Sequence, residues 1–406
     1  MNPTDPKPDL SKERLLEDVT VLASIENRGP ATPGEAKAAR HVHQRMQDLG
    51  LAPATEPFRV IPHFPIAWVA HNLLCLLACF LAFRHPFLAA AAVAFVIVSY
   101  IGDTTTLFYL IRRLFPGRES RHVIGHLKPT GAPRKRIVIA AHMDAGQMGF
   151  SLDPKRAEPV AKWHKEHLGI QPPILVLIFW IMIFNLISTL LYGFVGFTPF
   201  TAGCLIIGGL LNLIPIVIFT PHEFAKISPG ANDNGAGVAV MLDLARRLTI
   251  HPPATSEVMF VGVGSEETYM HGMACFMDER RSMFDKSSTY FLIPESCGNG
   301  TPRIITGEGV AWIKHFDPAL CGAALMAARK LGYHEAAPVI LRTGGTDATP
   351  PAMRGYAATA ICCMNENDYV PNYHWTGDTP DNVHVDDMKK VADIFEETVR
   401  TIDSTF

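Results

Sequence analysis

Charge is scarce in this chain, and the scarcity is local. Asp, Glu, Lys and Arg supply 18% of 406 residues, against about 25% in ordinary globular chains. None occurs from Gly169 to Pro221, and Val60 to Ile111 holds only Arg84 and Asp103. Soluble core helices are seldom apolar on every side, so these two blocks are expected to face lipid. A net charge of −3 and a pI near 6.6 leave no basic surface for a nucleic-acid partner. The eight cysteines include no CxxC pair. Cys75, Cys79 and Cys204 lie in apolar runs, so the set is expected to be reduced, intracellular and apolar in role. The opening MNPTDPKPDLSKERLLEDV has no apolar centre and is not expected to be a signal peptide.

What is present falls into alternating segments. Leu10 to Ile25 and Pro33 to Leu51 are expected to be amphipathic helices, and Pro57 to Ile61 a short strand. In the first apolar block, Ile66 to Phe83 and Phe87 to Ile101 form a hairpin broken at Arg84-His85-Pro86, the second arm extending past Asp103 through LFYLI. Arg121 to Leu127 and Arg136 to Ala141 are β-branched strands joined through PTGAP. Lys155 to His167 is a basic juxtamembrane helix whose Trp163 and neighbouring histidines suit an interfacial anchor better than a metal site. In the second block, Ile174 to Phe194 and Phe200 to Thr220 are full-length spans around a Gly-Phe-Thr-Pro turn. Further strands are expected at Glu257–Gly262, Thr289–Pro294, Pro302–Thr306, Val339–Leu341 and Ala358–Cys362. Helices are expected at Val238–Leu248, His271–Glu279, Pro318–Lys330 and Val385–Ile402. This alternation predicts an α/β domain with a mixed, largely parallel sheet between helices, interrupted by two transmembrane helical hairpins. The hairpins are 62–115 and 172–221. The remaining segments, 1–61, 116–171 and 222–406, leave about 300 residues for one discontinuous domain.

The chain is organised around Ser228 to Leu248, SPGANDNGAGVAVMLDLARRL. Glycines bracket Asp233, and the apolar positions from Val238 onward recur at helical spacing. A loop with an N-capping Asp or Asn fits this pattern; so does a metal-bridging carboxylate on a rigid turn. Other residues decide. His142 follows the strand IVIAA, with Asp144 two residues on, where a carboxylate can hold a ligand imidazole's second nitrogen. Glu266 and Glu267 follow EVMFVGVGS. Adjacent carboxylates cannot point the same way, so one can bind metal while the other handles a water. Glu295 ends STYFLIP, and His374 sits in the polar loop YVPNYHWTGDTPDNV. Each alone has an ordinary structural explanation: a packed histidine, a solvated turn, a helix cap, a loop residue. Together they place acidic or imidazole groups after three separate apolar strands, where open α/β sheets carry their ligand crevice. Two His and three carboxylates suit two zinc ions sharing one Asp.

HMD, GANDNGAGVAVMLDLARRL, GSEE, IPESCG, TDATP and NYHWTGDTPDN, in this order, resemble the co-catalytic zinc aminopeptidase family, which includes glutamate carboxypeptidase and glutaminyl cyclases. The resemblance covers Arg121–Gln147 and Ser228 to the C-terminus. It implies one zinc on His142 and Glu295, a second on Glu267 and His374, and Asp233 bridging. It implies Glu266 as general base, Asp144 as the orienter of His142, and Tyr373 as a stabiliser of the tetrahedral intermediate. Two positions depart from the pattern. Glu295 stands where Asp is commoner, which lengthens that arm by one methylene. Ala348 in TDATP replaces a frequent His, which weakens any role for its neighbour Asp347.

The expected protein is therefore a membrane-bound zinc metallopeptidase, an aminopeptidase acting on a peptide or small amide. A different amide hydrolase or a glutaminyl-cyclase-like enzyme is the nearest rival, and an idle membrane scaffold the next. An intact set of five ligands plus a base argues against idleness. Arg112, Arg113, Arg118, Arg121, Lys155, Arg156, Lys162 and Lys165 lie on the domain side of the hairpins. The far side carries only Arg84, so the catalytic domain is expected to face the cytoplasm. Oligomeric state and side-chain preference are left open.

Overall fold

The computed structural model describes residues 10–173 and 175–405. The opening stretch 1–9 and Ile174, the first residue of the third expected span, lie outside the described residues.

The chain begins with α1 (Leu10–Ala23), α2 (Pro33–Asp48) and β1 (Ala54–Val60), then enters the first apolar pair, α3 (Phe64–Leu81) and α4 (Pro86–Thr104). It returns through β2 (Arg118–Leu127), β3 (Lys135–His142) and the basic helix α5 (Pro154–Leu168) to the second apolar set, α6 (Val176–Val195), α7 (Pro199–Leu211) and α8 (Leu213–Glu223). The remainder alternates α9 (Gly237–Ile250), β4 (Ser256–Val263), α10 (His271–Glu279), β5 (Thr289–Glu295), β6 (Thr301–Glu308), β7 (Lys314–His315), α11 (Pro318–Lys330), β8 (Ala337–Leu341), α12 (Thr349–Met353), β9 (Ala357–Met364) and α13 (Val385–Thr405).

The strands form one nine-stranded mixed sheet in the order β1-β2-β4-β3-β5-β9-β6-β7, with β8 against β6. β3, β4, β5 and β9 run parallel, so their C-terminal ends share one edge. The mixed α/β fold read from the alternation is the fold observed. Adjacency in sequence misleads at one point. β2 and β3 do not pair with each other; β4 lies between them, antiparallel to β2 and parallel to β3. Val138, Phe260 and Leu292 in the central strands are fully buried, as are Leu244 and Phe395 on the helices covering them.

A second core lies among the apolar helices, centred on Trp68, Val93, Tyr100, Met182 and Leu205. Four helical runs are long and apolar enough to cross a membrane: Phe64–Leu81, Pro86–Thr104, Val176–Val195 and Pro199–Glu223. At a rise of about 1.5 Å per residue these match a hydrocarbon core of about 30 Å. Their outward faces carry exposed Phe80, Leu88, Trp180, Phe194 and Val217.

The structure departs from the sequence reading at two places here. The fourth span is broken between α7 and α8 at Asn212. Pro215 has no N–H to donate back to the preceding turn, and the Asn212 amide donates to the Gly208 carbonyl at 2.7 Å. The second arm of the first hairpin ends at Thr104, and LFYLI does not prolong it. Arg112 and Asp103, both buried, form an ion pair that folds this segment back against the helix end.

The ends of each apolar insertion meet. Val60 pairs with Arg118 across β1 and β2. Gln147 bridges Ile227, and Met148 N–H donates to the Lys226 carbonyl at 2.8 Å.

Candidate metal centre

Three parallel strands deliver the first groups. His142 is the last residue of β3, and Glu295 the last of β5. Glu266 and Glu267 follow the end of β4, beyond Gly264 and Ser265. The glycine-rich turn before α9 brings Asp233 from the side. His374 comes from the loop between β9 and α13, with φ of 49°. Gly146 permits this approach, because a Cβ there would lie 2.2 Å from His374 Nε2.

His142 Nε2 lies 3.2 Å from Glu295 Oε1 and 3.3 Å from Asp233 Oδ1. His374 Nε2 lies 3.2 Å from Asp233 Oδ2 and 3.1 Å from Glu267 Oε1. Each Asp233 oxygen thus faces a different imidazole. Ligand atoms of His142, Asp233 and Glu295 lie within 4.8 Å of one another, and so do those of Asp233, Glu267 and His374. Glu266 Oε2 lies 3.9 Å from His142 Nε2, and ligand atoms of His142, Glu266 and Glu267 form a third cluster within 4.8 Å that lacks Asp233. Tyr373 stacks on the His374 ring at 4.0 Å between centroids and lines the same cavity.

Asp144 performs two tasks. Its Oδ1 lies 3.5 Å from His142 Nδ1. Its two oxygens also accept the backbone N–H groups of Glu266 and Glu267, at 3.1 and 2.9 Å. The carboxylate that faces His142 thereby fixes the turn carrying the paired glutamates.

The electrostatics are those of a buried anionic site. Burial opposes charge on His374, yet Glu267 and Asp233 raise its pKa to about 10. Burial opposes charge on His142 as well, and Glu295, Asp144 and Asp233 hold it well above its usual value. Burial raises Glu295 to about 7 against the pull of His142. It also lifts Glu266 well above the carboxylate range, with Glu267 and Asp347 adding to the shift and His142 opposing it. Glu267 Oε1, Glu295 Oε2 and His374 Nε2 are buried with no hydrogen-bond partner among the described residues. These orphaned atoms, converging with His142 and Asp233 to give two imidazoles and three carboxylates, fit zinc by donor type and by charge.

Several supporting residues escaped the sequence reading. Arg28, fully buried, donates from Nη1 to the Met143 carbonyl at 2.8 Å and from Nη2 to those of Pro229 and Gly230 at 3.1 and 2.5 Å. It staples the loop after His142 to the turn before Asp233. Asp378 accepts the N–H groups of Asn232 and Asp233 at 2.6 and 3.1 Å. Glu35 on α2 accepts the N–H and hydroxyl of Ser265 at 2.6 and 2.9 Å, holding the residue before Glu266 at φ of 58°. Asp347 is fully buried, and neither carboxylate oxygen has a hydrogen-bond partner among the described residues. Asp378 and Asp347 lay inside quoted motifs. Arg28 and Glu35 carried no local signal.

Residues 217–399 match the model of peptidase family M28. Aminopeptidase YwaD of Bacillus subtilis is 42% identical over 64 residues, 16% of this chain and 14% of that protein. The vacuolar membrane protease of Schizosaccharomyces japonicus is 32% identical over 94 residues, 23% of this chain and 11% of that protein. Both matches therefore span only a small part of the curated relatives. A zinc aminopeptidase structure from Bacillus subtilis superposes with a TM-score of 0.56 at 14% identity, covering 96% of this chain and 94% of the other. A glutaminyl cyclase from Bacteroides thetaiotaomicron does so with a TM-score of 0.55 at 13% identity, covering 96% and 97%. The family resemblance read from the motifs stands, and the fold is the one these structures share.

Proposed function

We propose that this chain, with its peptidase family M28 segment, is a membrane-bound zinc metallopeptidase that removes residues from the N-terminus of peptides. The observation that carries the reading is that Asp233 belongs to two clusters of donor atoms, one with His142 and Glu295 and one with Glu267 and His374. His142, Asp233 and Glu295 would hold one zinc ion, and Asp233, Glu267 and His374 the other. Zinc held there supplies Lewis acidity toward a carbonyl oxygen and toward water.

The chain's own residues do the rest. Glu266 lies beside the ligands without belonging to either bridged set, and its buried carboxyl is poised to take up a proton. It accepts one from the attacking water and returns it to the departing amine. Asp144 fixes the turn that sets the distance between Glu266 and the ligands. Tyr373, on the cavity wall, is placed to donate a hydrogen bond from its hydroxyl to the oxyanion of the tetrahedral species.

The four apolar runs would cross the bilayer as two hairpins, with every segment of the sheet domain on one side. Arg113, Arg118, Lys155 and Lys162 favour the cytoplasmic side. Arg112 contributes less than the sequence suggested, because Asp103 pairs with it.

Glu266→Gln tests the assignment. It keeps size and cannot accept the proton, so turnover should fall by about 10²–10⁴ while metal content is unchanged. Glu267→Gln should lose metal as well as rate. Loss of zinc from Glu266→Gln and not from Glu267→Gln would swap the two roles. Full activity in both would refute the hydrolase reading.

A further inference from the structure

The cavity over the metal ligands continues outward. Leu341, Thr343, Met364 and Asp368 line it, and the same four residues line a second groove of about 210 Å³. One wall of that groove is a continuous run of chain, Pro338 to Thr343, which is β8 and its extension. The facing wall is Gly169, Ile170 and Gln171, where the basic helix α5 gives way to the apolar helix α6. Gln171 is fixed there, donating to the carbonyls of Ala161 and Asn367 at 2.8 and 2.9 Å.

β8 pairs with β6 along one edge. Its other edge has no strand partner among the described residues. An unpaired edge offers main-chain donors and acceptors at strand spacing. Here that edge borders a groove leading to the metal ligands. Its outer end is closed by Pro338, which has no N–H to give.

We infer that the substrate is an extended oligopeptide, whose residues beyond the scissile bond add as a strand to the free edge of β8. The inference rests on the peptidase reading above. Leu341 and Thr343, at and just beyond the end of β8, border the metal cavity, and an aminopeptidase substrate has its N-terminus there and its chain leading away. The added strand is therefore antiparallel to β8. Six lining residues span about 20 Å at strand rise, so the edge can pair with at most about five or six substrate residues, partly in the groove and partly in solvent. The facing wall, Gly169 to Gln171, lies between α5 and α6, so on the proposed topology longer substrates leave the site at the level of the bilayer surface.

The test uses the full zinc-loaded chain in detergent and peptides with one N-terminal residue, from the dipeptide to the hexapeptide. Two or more added main-chain hydrogen bonds should raise kcat/KM at least about tenfold across the series. N-methylation of alternate amides beyond the scissile bond should remove that gain and leave dipeptide cleavage as it was. Equal kcat/KM at all lengths, or indifference to N-methylation, overturns the inference and leaves the peptidase reading intact. A hexapeptide with benzoylphenylalanine at its fifth position should photolabel residues 169–171 or 338–340. Labelling elsewhere, or cross-linking of two copies of the chain through β8, also overturns it. If no peptide of any length is cleaved, the peptidase reading fails, and the labelling pattern alone decides whether an extended chain occupies this edge.

Discussion

Arg28 offers the sharpest test of how the metal ligands are held. Its guanidinium is fully buried and reaches two loops far apart in sequence, 143–144 and 229–230. Arg28→Met removes the cation and leaves the carbonyls of Met143 and Pro229 without a donor, while Gly230 keeps only the Gly235 N–H at 3.0 Å. An unsatisfied buried acceptor costs about 1–3 kcal/mol. Two such acceptors, with the charge-assisted bond lost at Gly230, come to about 3–5 kcal/mol, the range for breaking a buried charged network. That approaches the whole stability of a typical domain, so Arg28→Met should express poorly. Arg28→Lys discriminates better. An ammonium is a point donor and cannot bridge both loops as a planar fork does. The charge survives, so the fold should lose only about 1–2 kcal/mol, through the missing hydrogen bonds. The distance between His142 and Asp233 is no longer fixed, and loss of such support typically lowers metal affinity about 10–100-fold. Thermal unfolding in detergent measures the first effect, and zinc titration against a competing chelator the second. If Arg28→Lys binds zinc with parental affinity, the staple does not set the ligand geometry and the reasoning is wrong.

Other outcomes follow from the same structure. Asp233→Asn removes the carboxylate common to both ligand sets, so elemental analysis should find bound zinc well below the parent's; unchanged zinc would refute the shared bridge. His122 in β2 is fully buried, stacked on Phe58 at 4.1 Å, and burial, then Arg280, lowers its pKa to about 3. The unfolded chain takes up a proton on this group below about pH 6.5 and the folded chain does not. Its contribution is therefore intact above pH 6.5 and declines as pH falls toward 3, by up to about 1.4 kcal/mol per unit. His122→Phe should flatten the acid limb of the stability profile by one proton, and an unchanged slope would contradict this. A reporter fused after Phe406 should report a cytoplasmic location; activity confined to the other side would refute the proposed topology.

Much of this arrangement was legible in the sequence because it is local. β3, β4 and β5 are apolar runs whose last or following residues are polar, and each of those polar residues faces the metal-centre cavity. The apolar helices announce themselves by lacking charge. What stayed hidden depends on partners far away in the chain. Arg28 sits in a loop with no periodicity, and its carbonyl partners are 115 and about 200 residues distant. Glu35 reads as an ordinary first-turn acid of α2, though it holds Ser265, 230 residues on. The order β2-β4-β3 could not be read from strands adjacent in sequence, because pairing is chosen by the sheet as a whole. The break at Asn212 did have a local cause in Pro215, but hydropathy alone does not register it.

The meeting of Val60 with Arg118, and of Met148 with Lys226, bears on how the molecule is divided. From the standpoint of the sheet, each membrane segment is a long loop whose two stems are already hydrogen-bonded. A connection of a few residues between Ile61 and Gly117, and another between Met148 and Lys226, would span the same gaps. On the proposed reading the apolar helices form a module that the sheet can lose, provided the Arg112 bond to the Thr268 carbonyl is replaced. Shortening both connections, with polar replacements where Tyr269 and Trp312 now pack against the apolar helices, defines a water-soluble version that retains all five ligands and Glu266. It would lack the Gly169–Gln171 wall of the outer groove. Removing the membrane would thereby separate the metal chemistry from the recognition of an extended chain.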